Sequence, residues 1–298
     1  RDHLRRAAAT LSLLAPKRDT DKVDDVLSRL PEWNHEHLLR NRLAELVVHS
    51  LLRDDSVESV GLRPDPVAEH LILTVFGKHP ELLDRVLPQD PTQVPGLDDP
   101  DAEDSVVTRE LEWVKQSRNA CLTLTRASSL DRETALRLAR RALRERPFLW
   151  KEALDVALTQ GGPLASALEA LIESGVPLPL GEIDDVIPVG HPALAGAALA
   201  ATRRLATSAE RSPDQQAQWA NNLSIRLSGV GERAAALVEA REAVELYRGL
   251  AEASPAAYTS DLAGSLNNLA AILSEVGERG EALVEAREAV ELDRKSVV

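Results

Sequence analysis

Residues 266–292 read LNNLAAILSEVGERGEALVEAREAVEL, and residues 220–246 read ANNLSIRLSGVGERAAALVEAREAVEL. At this 46-residue spacing, 21 of the 28 aligned positions in 221–248 and 267–294 are identical. Each copy divides at Val-Gly-Glu-Arg into two stretches with helical periodicity. In the first, Leu262, Leu266, Leu269 and Leu273 recur at i, i+4, i+7 and i+11, which places them on one helical face. In the second, Ala282, Leu283, Ala286, Ala289 and Val290 form another apolar stripe, rich in alanine so that backbones can approach closely. A single hairpin cannot bury both stripes. The spacing therefore predicts hairpins that stack, each covering its neighbour, as in an α-solenoid.

The Leu/Asn/Leu/Ala pattern before Gly277, with Ala282, Ala286 and Ala289 after it, resembles the tetratricopeptide repeat. That repeat is usually about 34 residues long, and the additional length here falls in YRGLAEASPAAY, 247–258, a lengthened second helix and its connector. ALAGAALAATRRLATSAERSP, 193–213, matches the second half of a preceding, degenerate unit. The resemblance implies a protein- or peptide-binding array whose first helices line a concave face. In peptide-binding members, an asparagine matching Asn222 and Asn268 looks into that groove and clamps a ligand's backbone or carboxylate. An amide suits this task because it both donates and accepts. The remaining positions implied by the resemblance are Gln218, Asn221, Ser228, Asn267 and Ser274. Gly264 and Ala271 stand where carboxylate-clamping relatives carry polar or basic residues, which argues against a C-terminal carboxylate as ligand.

Outward from the repeats, helical periodicity dominates the 298 residues, and the predicted class is all-α and elongated. The first helix, 2–15, closes at Pro16. Asp21 is placed to cap a second through Leu30. A third, from Trp33 to Leu52, presents Leu38, Leu39, Leu43, Leu46, Val47 and Leu51 on its apolar face. Asp65 and Pro66 open a pair of short helices parted near Pro80. SVESVGL, 56–62, reads as a short strand or wing. Further helices are expected at about 105–127, 131–145, 148–159 and 163–174. The predicted division is an N-terminal helical module (1–90, winged-helix-like at 33–75), an acidic proline-rich linker (91–104), a middle helical module (105–190) and the repeat array (191–298).

GLRPDPVAEHLI (61–72), PELLDRVL and RALRERPFLWKEALDVALTQGGPLASALEALIES (141–174) resemble the helical region between the nucleotide switch and the repeats of actinobacterial STAND-type NTPases, which are signalling ATPases. That resemblance implies a sensor arm. No G-x-x-x-x-G-K-[ST] occurs, and FGKHP, 76–80, offers no glycine-rich cradle, so any nucleotide site is expected outside this segment. The lack of methionine and the repeat pattern running to the final residues suggest a piece of a longer protein.

Composition narrows the function classes. A net charge of −13 opposes non-specific attachment to nucleic acid or anionic lipid. Aromatics make up 3%, leaving few rings to stack bases or sugars. The lone Cys121 permits no intramolecular disulfide and suits a reducing, cytoplasmic setting. No apolar run is long enough for a membrane span.

Candidate chemistry is sparse. His35 and His37 lie two apart and point to different sides of a helix, so they cannot share a metal ion. DDPDAED, 98–104, lacks the glycine and terminal glutamate of a calcium loop. Cys121 sits among leucines and reads as a packed thiol. No catalytic residue, cofactor or metal is expected, and the reading is a non-catalytic binding scaffold. Two alternatives stand beside it. One is a nucleic-acid-binding regulator using 33–75 and the arginine-rich helix 132–146. The other is an enzyme with a site assembled from distant residues such as Glu69, His70 and Cys121.

Overall fold

A computed structural model describes residues 1–51, 60, 65–89, 103–207 and 212–296. Among them are fifteen α-helices and no strand, as the periodicity predicted. SVESVGL lies outside the described residues except for Val60, and so does most of the acidic proline-rich stretch. Contacts divide the chain into two units, Arg1–Val176 and Pro177–Val298.

The first unit holds α1 (Asp2–Leu14), α2 (Thr20–Ser28), α3 (His37–Leu46), α4 (Asp65–Lys78), α5 (Pro80–Val86), α6 (Glu103–Ala127), α7 (Arg132–Glu145), α8 (Trp150–Gln160) and α9 (Pro163–Glu173). α1 packs on α2, α4 and α6, while α9 packs on α7 and α8. Leu13, Leu14, Leu27, Phe76, Leu83, Leu124, Leu138 and Leu143 are almost fully enclosed. These aliphatic contacts carry most of the burial free energy, roughly 1.5–3 kcal/mol for each large side chain.

Two local expectations need correction. The cap of α2 is Asp19, whose Oδ1 accepts from the backbone N–H of Asp21 and Lys22 at 3.0 and 3.2 Å; Asp21 itself lies inside the helix. Asp19 has the extended backbone a capping residue needs. The helix expected over Trp33–Leu52 begins at His37, and a π-helical turn, Val47–Leu51, follows it. Its anticipated apolar face is mostly outside: Leu38, Leu39 and Leu46 are exposed, and Arg40, Ala44, Val47 and Val48 are buried. The reason is the Arg40 guanidinium. Its Nε and Nη2 donate to the two Asp24 carboxylate oxygens at 2.7 and 2.9 Å, and Nη1 donates to the carbonyls of Trp33 and Asn34 at 3.0 and 3.2 Å. A charge so fully partnered tolerates burial. It turns the helix so that the leucines face out.

The second unit is built from α10 (Leu180–Val186), α11 (Ala195–Ala206), α12 (Pro213–Gly229), α13 (Arg233–Ala253), α14 (Pro255–Val276) and α15 (Arg279–Ser296). Successive helices pack in order, α10 on α11 through to α14 on α15, and α12 also touches α14. The duplicated sequence forms the duplicated structure. In both hairpins a left-handed glycine, Gly231 at φ 84° and Gly277 at φ 91°, ends the first helix. In both, the next residue's N–H reaches back to a leucine carbonyl, Glu232 to Leu227 at 3.0 Å and Glu278 to Leu273 at 2.9 Å. A side chain at either glycine would meet the strain of positive φ.

The predicted leucine stripe is buried throughout: Leu262, Leu266, Leu269 and Leu273 join Leu223, Leu227, Val244 and Tyr247 in one cluster. The second stripe behaves differently in the two copies. Ala236, Ala240 and Val244 of α13 are buried, whereas in α15 Ala282 and Ala289 are buried but Leu283 and Val290 are 53% and 50% exposed. α13 is packed between α12 and α14, whereas α15 packs mainly on α14.

Candidate functional site

The seven positions singled out by the repeat pattern all lie on the first helices, α12 and α14, but they do not act alike. Asn268 Nδ2 donates to Asn221 Oδ1 at 3.0 Å and ties the two hairpins together. Ser228 Oγ donates to Glu275 Oε2 at 2.7 Å, again from one hairpin to the next. Asn221 and Ser228 are thus engaged within the fold. Among the described residues, Gln218, Asn222, Asn267 and Ser274 make no side-chain hydrogen bond. Asn222 is half-buried, and the other three are exposed.

Asn222 and Asn268 are equivalent positions one repeat apart, and each continues a strip along its helix. On α12 the strip runs through Gln215, Gln218, Trp219, Asn222 and Ile225 at i, i+3, i+4, i+7 and i+10. On α14 the matching positions are Asp261, Gly264, Ser265, Asn268 and Ala271. Gly264 has open space around it, so the α14 strip is low at that level. Trp219 is half-exposed here, where its equivalent Ser265 is buried. Sequence reasoning missed this tryptophan because the duplicated pattern does not contain it. Its position one turn before Asn222 was the available signal.

The charge of the strip follows from what Arg226 does. Its Nη2 donates to the carbonyls of Asp184 and Ile187 at 3.1 and 3.0 Å and pairs with the Asp184 carboxylate at 3.3 Å. The cation closes the C-terminal end of α10 and is unavailable to a ligand. What remains is amide-rich, with Asp261 its one charge. Burial also pushes the Tyr247 phenol up to about 12, with Asp261 and Asp214 adding to the effect. It is a core residue of the array.

A tetratricopeptide repeat model matches residues 262–298. The match runs from within α14 through α15, so the second unit carries a tetratricopeptide repeat region of stacked helix pairs. No curated protein matches the chain.

The groups considered for other chemistry are dispersed within the first unit. Cys121 is buried on α6, and burial, with Glu152 nearby, pushes its thiol up to about 12. Glu69 is buried against Arg126, whose Nε lies 3.5 Å away. His70 is exposed and lines a cavity of about 350 Å³ between α1 and α4, together with Arg5, Arg6, Lys78 and His79. Neither Glu69 nor Cys121 lines that cavity, so the three do not converge there. A thiol reagent at pH 8 is therefore expected to leave Cys121 unmodified in the folded chain and to label it fully after unfolding. Labelling of the native protein at the rate of free cysteine would contradict its burial.

His35, which precedes α3, and His37, its first residue, are both exposed, and His37 Nδ1 lies 3.0 Å from Arg40 Nη2. No group of three metal-ligating side chains occurs among the described residues. Of DDPDAED, residues 98–102 lie outside the description. The arginine-rich helix α7 spends its charge internally. Arg141 is bidentate to Asp84 at 2.8 and 2.5 Å, Arg146 donates to the Asp84 carbonyl at 2.6 Å, and Arg137 to the Gly77 carbonyl at 3.3 Å. These bonds fasten α7 to α4 and α5 and leave fewer cations free for phosphates. No described helix is long and apolar enough to cross a membrane.

Proposed function

We propose that the repeat unit binds an extended segment of a partner protein along the strip formed by Gln215, Gln218, Trp219 and Asn222 of α12 and by Asn268 of α14. The observation that carries this reading is the pair of equivalent amides, Asn222 and Asn268, on neighbouring first helices. Asn222 keeps its full hydrogen-bonding capacity, and Asn268 keeps its carbonyl and one N–H after bridging to Asn221. Such groups read a peptide backbone, which presents donors and acceptors in alternation. The strip holds no free cation, which favours an internal segment over a C-terminal carboxylate. Trp219 supplies apolar area for one side chain of the ligand.

Binding of this kind needs no activated nucleophile. It suits a scaffold or sensor arm, and the resemblance of 61–72 and 141–174 to STAND-type NTPases supports a place beside a nucleotide switch carried elsewhere. The test is selection of random peptides on the full chain, followed by affinity measurements on the Gln218→Ala/Asn222→Ala variant. The expected result is enrichment of sequences that lose about tenfold or more in affinity for the variant. Equal binding by wild type and variant, or no enrichment at all, would contradict the reading.

A further inference from the structure

The cavity of about 350 Å³ between α1 and α4 lies wholly within Arg1–Val176 and plays no part in the repeat array. Two helical faces build it. Asp2, Arg5 and Arg6 fall at i, i+3 and i+4 on α1, and His70, Thr74 and Lys78 at i, i+4 and i+8 on α4. Each trio therefore projects from one side of its helix. The two helices pack on each other, and His79, between α4 and α5, completes the wall. Leu71 and Val75 supply an apolar lining. The volume is at the lower end of the range for small-molecule sites.

The charge inside is lopsided. Arg5, Arg6 and Lys78 line the cavity with a single carboxylate, Asp2. None of the three cations is well partnered. Arg5 lies 3.8 Å from Asp2, beyond hydrogen-bonding distance. Lys78 is exposed and makes no ion pair or side-chain hydrogen bond among the described residues. The Arg6 side chain is only 27% exposed, yet its contacts are long: Nη2 lies 3.5 Å from His79 Nε2, and Nη1 3.7 Å from Glu32 Oε1. Glu32 does not line the cavity. Glu81, 3.4 Å from His79 Nδ1, holds the imidazole from its other side. A guanidinium carries five N–H donors. Arg40 spends its donors on bonds of 2.7–3.2 Å, whereas Arg6 keeps most of them for a ligand.

The structure assigns this cavity as a binding site for a small molecule that carries a phosphoryl group on an apolar body. A phosphate monoester presents several strong acceptor oxygens, which take a forked contact from Arg6 together with the charges of Arg5 and Lys78. A monocarboxylate has too few oxygens to engage all three. Leu71 and Val75 receive the organic part. The low-dielectric walls of the cleft concentrate the field of the cations on the anion. Side chains do the holding, so no glycine-rich loop is required. The site does not depend on the peptide strip.

The experiment titrates the full chain with phenyl phosphate by isothermal calorimetry. The expected result is saturable binding with a Kd in the millimolar range or tighter. Arg6→Gln and Lys78→Gln are each expected to weaken it by about fivefold or more. Arg140→Gln, on the exposed side of α7 and outside the cavity, should bind like wild type. Phenol, which has the ring without the anion, should not compete. Lys78 is exposed, so its variant keeps the test valid even where Arg6→Gln fails to fold. No saturable binding up to tens of millimolar would overturn the assignment. So would an affinity that Lys78→Gln leaves unchanged, or one that Arg140→Gln lowers equally, since the anion would then be attracted by surface charge alone.

Discussion

Leu266→Ala is expected to destabilise the repeat unit by about 3 kcal/mol. Leu266 has no exposed surface and lies in the middle of α14, enclosed by a cluster that draws on α12, α13 and α15. A void there is bounded by stacked helices on both sides, which limits how far the site can collapse. In a background with Trp33, Trp113 and Trp150 replaced by phenylalanine, urea unfolding followed by the fluorescence of Trp219 reads this directly. Leu283→Ala, at a half-exposed position, should cost well under half as much. Similar losses for both variants would mean that α14 is not the covered centre of the array.

The second large effect belongs to the first unit. Arg40→Ala removes the cation that fills the space between α2 and α3 and leaves Asp24 and two carbonyls without their donors. Breaking a largely buried pair in this way costs about 3 kcal/mol. The Asp24 side chain is 26% exposed, so water recovers part of the loss on its side. Arg40→Leu/Asp24→Leu should be less damaging than Arg40→Ala, because no charge is then stranded. A thermal unfolding series on the three proteins checks the order. If Arg40→Ala melts with wild type, the guanidinium does not set the orientation of α3.

These two residues mark how far the sequence could be read. The leucine stripe of α14 was legible because a helix buries one face, and period alone identifies that face. α3 was misread by the same rule, since its inward residue is an arginine whose partner lies sixteen positions earlier on another helix. Periodicity counts apolar residues and takes no account of an ion pair formed across helices. The choice of Asp19 over Asp21 as cap likewise rests on one backbone conformation. The unequal burial of Leu237 and Leu283, in nearly identical sequence, belongs to the neighbouring hairpin more than to the residue.

The candidate site divides along the same line. That paired amides lie on the first helices followed from the repeat. That Asn268 bonds Asn221, 47 positions away, depends on the offset between stacked hairpins and could not be read from either copy alone. Arg226 stands one turn after Asn222, and the fold consumes it at the end of α10. The lack of a free cation beside the strip is thus a tertiary property.

The stacking of α12–α13 against α14–α15 is tested most directly by cross-linking across the Asn221–Asn268 bridge. Asn221→Cys/Asn268→Cys in a Cys121→Ala background, treated with a short bifunctional maleimide, should yield an intramolecular link within the native monomer. The link should disappear in denaturant. A native chain that forms no link, or links only between molecules, would place the two hairpins apart and contradict the fold on which the binding strip depends.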